Sequence, residues 1–179
     1  MVGGRPDVDF AALRRVARRY AAAVDTLDGP AFADLFAVDG ELWVPDPRVG
    51  FEPTIMRCGR ARLERIPSGL AGYHVTHHAL WSTEYDVDGD RATGTVRGVA
   101  HHVTMDPEDG AVGGLDAVWY IRYADAYVRA GDDWLLTCRT LHLSDIEYRR
   151  ITHVGSGRRM PRSLPTTDAI RSQHESSQP

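Results

Sequence analysis

The chain contains no lysine: all 21 of its basic residues are arginine, against 25 acidic ones and a formal net charge of −4. Without lysine there is no Schiff-base chemistry and no phosphate-loop lysine. The two cysteines, Cys58 and Cys138, are too few for a disulfide scaffold or a cysteine-based zinc site. No apolar run approaches the ~18 residues of a membrane span, and residues 1–7 hold no apolar core of a secretory signal. No basic stripe suited to nucleic acid is visible either. These absences lead us to expect a cytoplasmic protein with reduced thiols that binds neither nucleic acid nor membrane. With 179 residues, 42% of them hydrophobic, the chain suffices for one domain with a single sizeable core.

The pattern divides that domain in two. Phe10, Leu13, Val16, Ala17, Tyr20, Ala21 and Val24 recur at helical spacing, with Asp9 as the expected N-cap. Asp28-Gly29-Pro30 breaks this helix and opens a second over 30–35. A strand is expected over 41–44, a loop over 45–54 and a third helix over 59–66. The second half is strand-like, over 73–85, 91–105, 115–129 and 134–143, with turns at Asp88-Gly89-Asp90 and at 130–133. Helices followed by hairpin-linked strands predict an α+β fold, three N-terminal helices packed on one face of a curved antiparallel sheet. Residues 1–8 read as a flexible lead, 9–148 as the domain and 149–179 as a polar tail.

Five of the eight histidines fall in two groups: His74, His77 and His78 on one strand, His101 and His102 on the next. Side chains alternate along a strand, so one member of each adjacent pair points inward. Two inward imidazoles would share one pocket, and imidazole is the commonest general acid and base near neutrality. Taken singly, each reads rather as a half-exposed strand residue; it is the two groups together that point to a site. Asp25 directly follows the apolar stripe, where a carboxylate could orient an imidazole or simply be solvated. Tyr123, Asp125 and Tyr127 share one strand face, as pocket hydroxyls or as cross-strand packing. Trp43, Trp81 and Trp119 read as core or pocket wall. A metal is not expected. His74 and His78 lie about 13 Å apart along a flat strand, too far for joint ligation, and no explicit ligand motif is present.

In order and spacing these features resemble one family. They are Asp25-Thr26-Leu27-Asp28, Phe32-Ala33-Asp34-Leu35-Phe36, Asp39-Gly40, Gly59-Arg60, Thr76-His77-His78, Asp88-Gly89-Asp90-Arg91-Ala92, and Tyr123 through Arg129 running on to Trp134 and Arg139. The chain is similar to the SnoaL-like branch of the nuclear transport factor 2-like superfamily, and within it to scytalone dehydratase-like proteins. The resemblance implies a cone-shaped α+β fold and an oligomer, here a homodimer or homotrimer. It also implies an acid–base histidine on one strand, and a second on the next strand bonded to an Asp of the first helix. By position these are His78, His101 and Asp25. The dehydratases carry Tyr before that Asp, where this chain has Val24, and Ser and Asn where it has Ile121 and Tyr123.

The expectation is therefore a cofactor-independent dehydratase, isomerase or aldol-type cyclase acting on a small apolar or aromatic carbonyl or polyketide-like substrate. Asp25, His78 and His101 would be catalytic, with Tyr20, Trp43, Tyr73, Tyr123 and Asp125 binding substrate. A scaffold subunit, like the β subunits of ring-hydroxylating dioxygenases, or a ligand-binding module is the alternative.

Overall fold

A computed structural model describes residues 6–105 and 113–152. Helix α1 (Pro6–Asp25) opens the chain. Its stripe is buried as the spacing predicts: Leu13, Val16, Ala17, Tyr20, Ala21 and Val24 all face the core. Asp9 is not its N-cap. The helix starts earlier, at Pro6, whose missing N–H costs nothing in a first turn. Asp9 is instead buried and accepts hydrogen bonds from Arg129 (Nη1, 2.6 Å; Nη2, 3.1 Å) and Trp134 Nε1 (3.2 Å). This ties the start of the chain to the last hairpin.

After α1, Leu27 turns the backbone through φ 57°. Asp28 Oδ1 then caps α2 (Gly29–Ala33) by accepting from the Ala31 N–H at 3.1 Å. Of the three N-terminal helices expected to pack on the sheet, the third, expected over 59–66 after one strand, is reduced to a single turn. Strands β1 (Phe36–Val44) and β2 (Ile55–Cys58) intervene before α3 (Arg60–Leu63), a single turn followed by a 3₁₀ turn (Pro67–Leu70). Pro67-Ser68-Gly69 tightens that second turn instead of ending a longer helix.

Four long strands complete the chain: β3 (Val75–Asp88), β4 (Arg91–Met105), β5 (Gly114–Ala130) and β6 (Asp133–Ile151). They form one unclosed sheet in the order β2-β1-β6-β5-β4-β3. The sheet is mixed, not wholly antiparallel. The last hairpin returns β6 beside β1, and the two run parallel. β1 also begins five residues before the expected strand, because the Asp39-Gly40 turn signal is absorbed as an irregularity between Phe36 and Glu41. β6 continues to Ile151, into the segment expected as tail, because Gly114 and Leu115 of β5 give it a partner there. Residues 1–5 of the expected lead and 153–179 of the tail lie outside the described residues.

Register shifts at Leu80/Ser82, Tyr120/Ile121 and Ala126/Tyr127 bend the sheet around α1. At Gly94 a Cβ would come within 2.6 Å of the Tyr85 ring, so glycine lets that ring lie flat on β4. The core fills the concave side: Phe32, Phe36, Leu42, Val96, Trp134 and Leu136 are sealed between sheet and helices. None of the described helices is long and apolar enough to cross a membrane.

Candidate active site

Asp25 is the last residue of α1, where the helix end itself disfavours a carboxylate. Three donors from β3 compensate. Thr76 Oγ1 donates to Oδ1 at 3.0 Å, the His78 backbone N–H to Oδ2 at 2.9 Å, and His78 Nδ1 lies 2.7 Å from Oδ1. Thr76 and His78 share a face because they are two apart on a strand. Burial pushes the Asp25 carboxyl up, but the hydrogen bonds and charge of His78 outweigh it, so its pKa is lowered. An ionised carboxylate has no proton to give. The Nδ1 proton therefore belongs to His78, and in the neutral form of the ring the lone pair lies on Nε2. The His78 side chain is only 7% exposed.

His78 opens on a cavity of about 260 Å³ enclosed by α1, β1, the 3₁₀ turn and the concave sheet. Val24, Leu42, Val44, Ile66, Leu70, Ala100, Ile121 and Leu141 make its wall apolar, and Trp119 supplies an aromatic side. The polar side chains lining it are Tyr20, His78, His102 and Tyr123.

The inward histidine of β4 is His102, not His101. Ala92, Val96, Ala100 and His102 alternate onto the buried face, which sends Arg91, Arg97 and His101 the other way. On that outer face His101 Nδ1 pairs with Asp116 Oδ2 at 2.7 Å. Nor does Asp25 reach β4. Helix α1 packs along β3, so the carboxylate meets His78 and the expected Asp25–His101 pair does not form. The signal that selects His102 lies in the sequence: two arginines of β4, Arg91 and Arg97, share the parity of His101.

His102 stands edge-on to His78, with ring centroids 6.1 Å apart, and packs on Trp119 (4.5 Å) and Tyr73 (4.9 Å). Burial, then the charge of His78, pushes its pKa down to about 4. His102 is thus a neutral imidazole at physiological pH, its Nδ1 3.4 Å from the Ala117 carbonyl.

The expected substrate-binding residues divide. Tyr20 and Tyr123 line the cavity, their rings meeting at 5.4 Å. Burial raises the Tyr20 phenol to about 12 and Tyr123 well above its ordinary value, so both hydroxyls keep their protons as donors. Tyr73 does not line the cavity and packs on His102. Trp43 does not line it. Leu42 and Val44 turn inward, so the residue between them faces away, and its indole N–H donates to Glu41 at 2.9 Å.

Asp125 does not line the cavity either. It is sealed beneath it, accepting from Arg139 Nε (2.8 Å) and Nη2 (2.6 Å) and from the Tyr127 hydroxyl (2.6 Å). The Arg139 guanidinium is fully buried over the rings of Tyr20 (4.1 Å) and Tyr123 (4.3 Å), fixing both. Among the described residues, no three or more His, Cys, Asp or Glu are grouped to hold a metal ion.

Solved structures of the same fold are numerous. A scytalone dehydratase candidate from Novosphingobium aromaticivorans superposes with a TM-score of 0.64 at 20% identity, over 86% of this chain and 99% of that one. A type 2 hexachlorocyclohexane dehydrochlorinase (LinA) gives 0.67 at 16% identity, over 85% and 99%. A protein of Kribbella flavida gives 0.68 at 19%, over 80% and 95%. At such identities the likeness concerns the fold. No curated protein matches the sequence. The model of the SnoaL-like domain matches residues 8–140, which hold Asp25, His78 and every described cavity-lining residue except Leu141. The chain therefore belongs to the SnoaL-like domain family, on the nuclear transport factor 2-like fold.

Proposed function

We propose that this protein is a cofactor-independent acid–base enzyme that removes a proton α to a carbonyl of a small, uncharged substrate. The reading rests above all on the Asp25–His78 pair, 2.7 Å apart, at the wall of a mainly apolar cavity. His78 Nε2 takes the α proton, and the imidazolium so formed is stabilised by the Asp25 carboxylate. The electron pair of the broken C–H bond moves onto the carbonyl oxygen. Tyr20 and Tyr123 are the donors available to that oxyanion. In a dehydration the enolate then expels a β-hydroxyl, which collects the proton from His78 and leaves as water, giving an enone. Isomerisation returns the proton to a different carbon, and cyclisation directs the enolate onto a second carbonyl. The neutral imidazole of His102 holds the leaving or migrating oxygen by hydrogen bonding.

General acid–base catalysis of this kind contributes ~10² to 10⁴-fold, and each oxyanion donor on the order of 3 kcal/mol. The mainly apolar wall, with no arginine among the described residues that line it, favours neutral cyclic or aromatic ketones over acids and phosphates. Neighbours of this fold include a dehydrochlorinase and a dehydratase candidate, both names denoting elimination, which agrees with this chemistry. The test is a panel of neutral β-hydroxy ketones incubated with the protein and followed by mass spectrometry for loss of water. The proposal expects enone formation that disappears in His78→Ala. Turnover preserved in that variant contradicts it, as would a pocket that binds such ketones tightly and converts none.

A further inference from the structure

The outer face of the sheet carries an arrangement that the cavity chemistry does not use. Three strands place two arginines and a histidine in one cross-strand row. Arg97 of β4 stands directly opposite Arg122 of β5, and Arg122 directly opposite His142 of β6. Like charges facing each other across a sheet are destabilising unless an anion lies between them. The charge of Arg122 already pushes the His142 pKa down, after burial. The carboxylates at hand pair only part of the row. Glu84 bonds Arg97 at 2.8 Å from a largely exposed position. Glu52 is felt by His142, and Glu147 is taken by Arg149 at 2.7 Å. Arg122 has no hydrogen-bond or ion-pair partner among the described residues.

Beside this row stands an exposed tryptophan. Trp81 is the extra residue of the Leu80/Ser82 bulge on the edge strand β3, and it is 60% exposed. The row, Trp81, Tyr120 and Ser144 line a trough of about 440 Å³, within the size range of small-molecule sites, roughly 300–1,000 Å³. β3 and β5 are separated by one strand, so Trp81 and Tyr120 rise about 10 Å apart. A planar ring inserted midway would lie about 5 Å from each, within aromatic contact range. On the far side of the indole, Arg14 and Arg18 line a neighbouring groove and extend the positive field. The chain as a whole is acidic, at −4, so this concentration of arginine around an aromatic is local.

We propose that this trough is a second binding site, separate from the His78 cavity, for a phosphate ester carried on a planar aromatic group. The ring would stack against Trp81, and Arg97 and Arg122 would take the phosphate oxygens through forked, charge-assisted hydrogen bonds.

Calorimetric titration of the full chain at low salt tests this with four probes: adenosine 5′-monophosphate, phenyl phosphate, adenosine and inorganic phosphate. The proposal expects saturable binding of at least one ester, with adenosine and phosphate alone weaker by about tenfold or more, since stacking and charge are both needed. The nucleotide and phenyl arms tell a nucleotide site from a general aryl phosphate site. Trp81→Ala and Arg122→Ala should each weaken the bound ester by about tenfold or more, and added salt should weaken it further. His78→Ala should leave it unchanged. Both substituted side chains are exposed, and circular dichroism confirms that the variants fold. The proposal is overturned if neither ester saturates, if phosphate alone binds as tightly as its esters, or if the variants bind like the parent. It also fails if the substitutions dissociate an oligomer without altering ester affinity, which would make the face a contact between copies.

Discussion

Replacing His102 by Gln should flatten the acid sensitivity of folding, and the size of the effect follows from the burial of one ring. In the folded protein this imidazole titrates at about 4, against an ordinary 6.5, because burial and then the charge of His78 oppose its protonation. The unfolded chain therefore binds this proton first. Stability linked to His102 is intact above pH 6.5 and is lost as the pH falls from 6.5 toward 4. Between about pH 7 and about pH 5 the loss amounts to about 2 kcal/mol, a little over half of the full effect at 1.36 kcal/mol per pH unit. Asp9 and Asp25, whose pKa values are lowered, add their own losses, but below their unfolded carboxylate range. The window above about pH 5 thus isolates the histidines, and the other histidines cancel in the comparison. Urea unfolding of parent and His102→Gln at the two pH values gives the difference directly. The parent should lose about 2 kcal/mol more than the variant. Equal losses would mean that His102 is not the buried, neutral ring described, and its assigned part in the site would go with it.

Three further outcomes are expected. Asp25→Asn should leave the fold intact yet lower turnover of any substrate found, and combined with His78→Ala it should cost no more than His78→Ala alone, because members of one catalytic unit are non-additive; multiplicative losses in a double-mutant cycle on kcat would deny the pairing. Arg139→Met strands the buried Asp125 carboxylate and should cost about 3–5 kcal/mol in urea unfolding, whereas Arg139→Met with Asp125→Leu should recover much of it; a double variant as unstable as the single would contradict this. Light scattering should find a homodimer or homotrimer, because among the described residues β2 and β3 leave both sheet edges unpaired and Val38, Met56 and Tyr148 are exposed; a monomer at micromolar concentration would refute it.

The sequence carried the fold wherever periodicity was strong. The stripe from Leu13 to Val24 and the hairpin at Asp88-Gly89-Asp90 form as their spacing requires. Legibility failed where tertiary contact overrode a local signal. Asp9 has the chemistry of an N-cap, but Arg129, 120 residues away, claims its carboxylate. Asp39-Gly40 has the composition of a turn, but pairing with β6 draws it into β1. A strand as short as Ile55–Cys58 has too few residues to show a period. The parallel pairing of β1 with β6 joins strands far apart in sequence, which no local pattern reports.

For the site, one residue decided the outcome on β4. His101 and His102 are chemically identical, and only strand parity separates them, set by Arg97 outside and Val96 and Ala100 inside. Asp125 and Tyr123 were legible as sharing a face, but not that the face divides. The Tyr123 end lines the cavity, while Asp125 lies beneath it, claimed by Arg139.

The central claim is that His78, held by Asp25, is the proton carrier. It is tested most directly by α-proton exchange in deuterated water, followed by NMR on a neutral ketone that the cavity accepts. The account predicts exchange by the parent protein, its loss by about 10²-fold or more in His78→Ala, and no change in His101→Ala. Exchange that survives in His78→Ala and disappears in His101→Ala would contradict it.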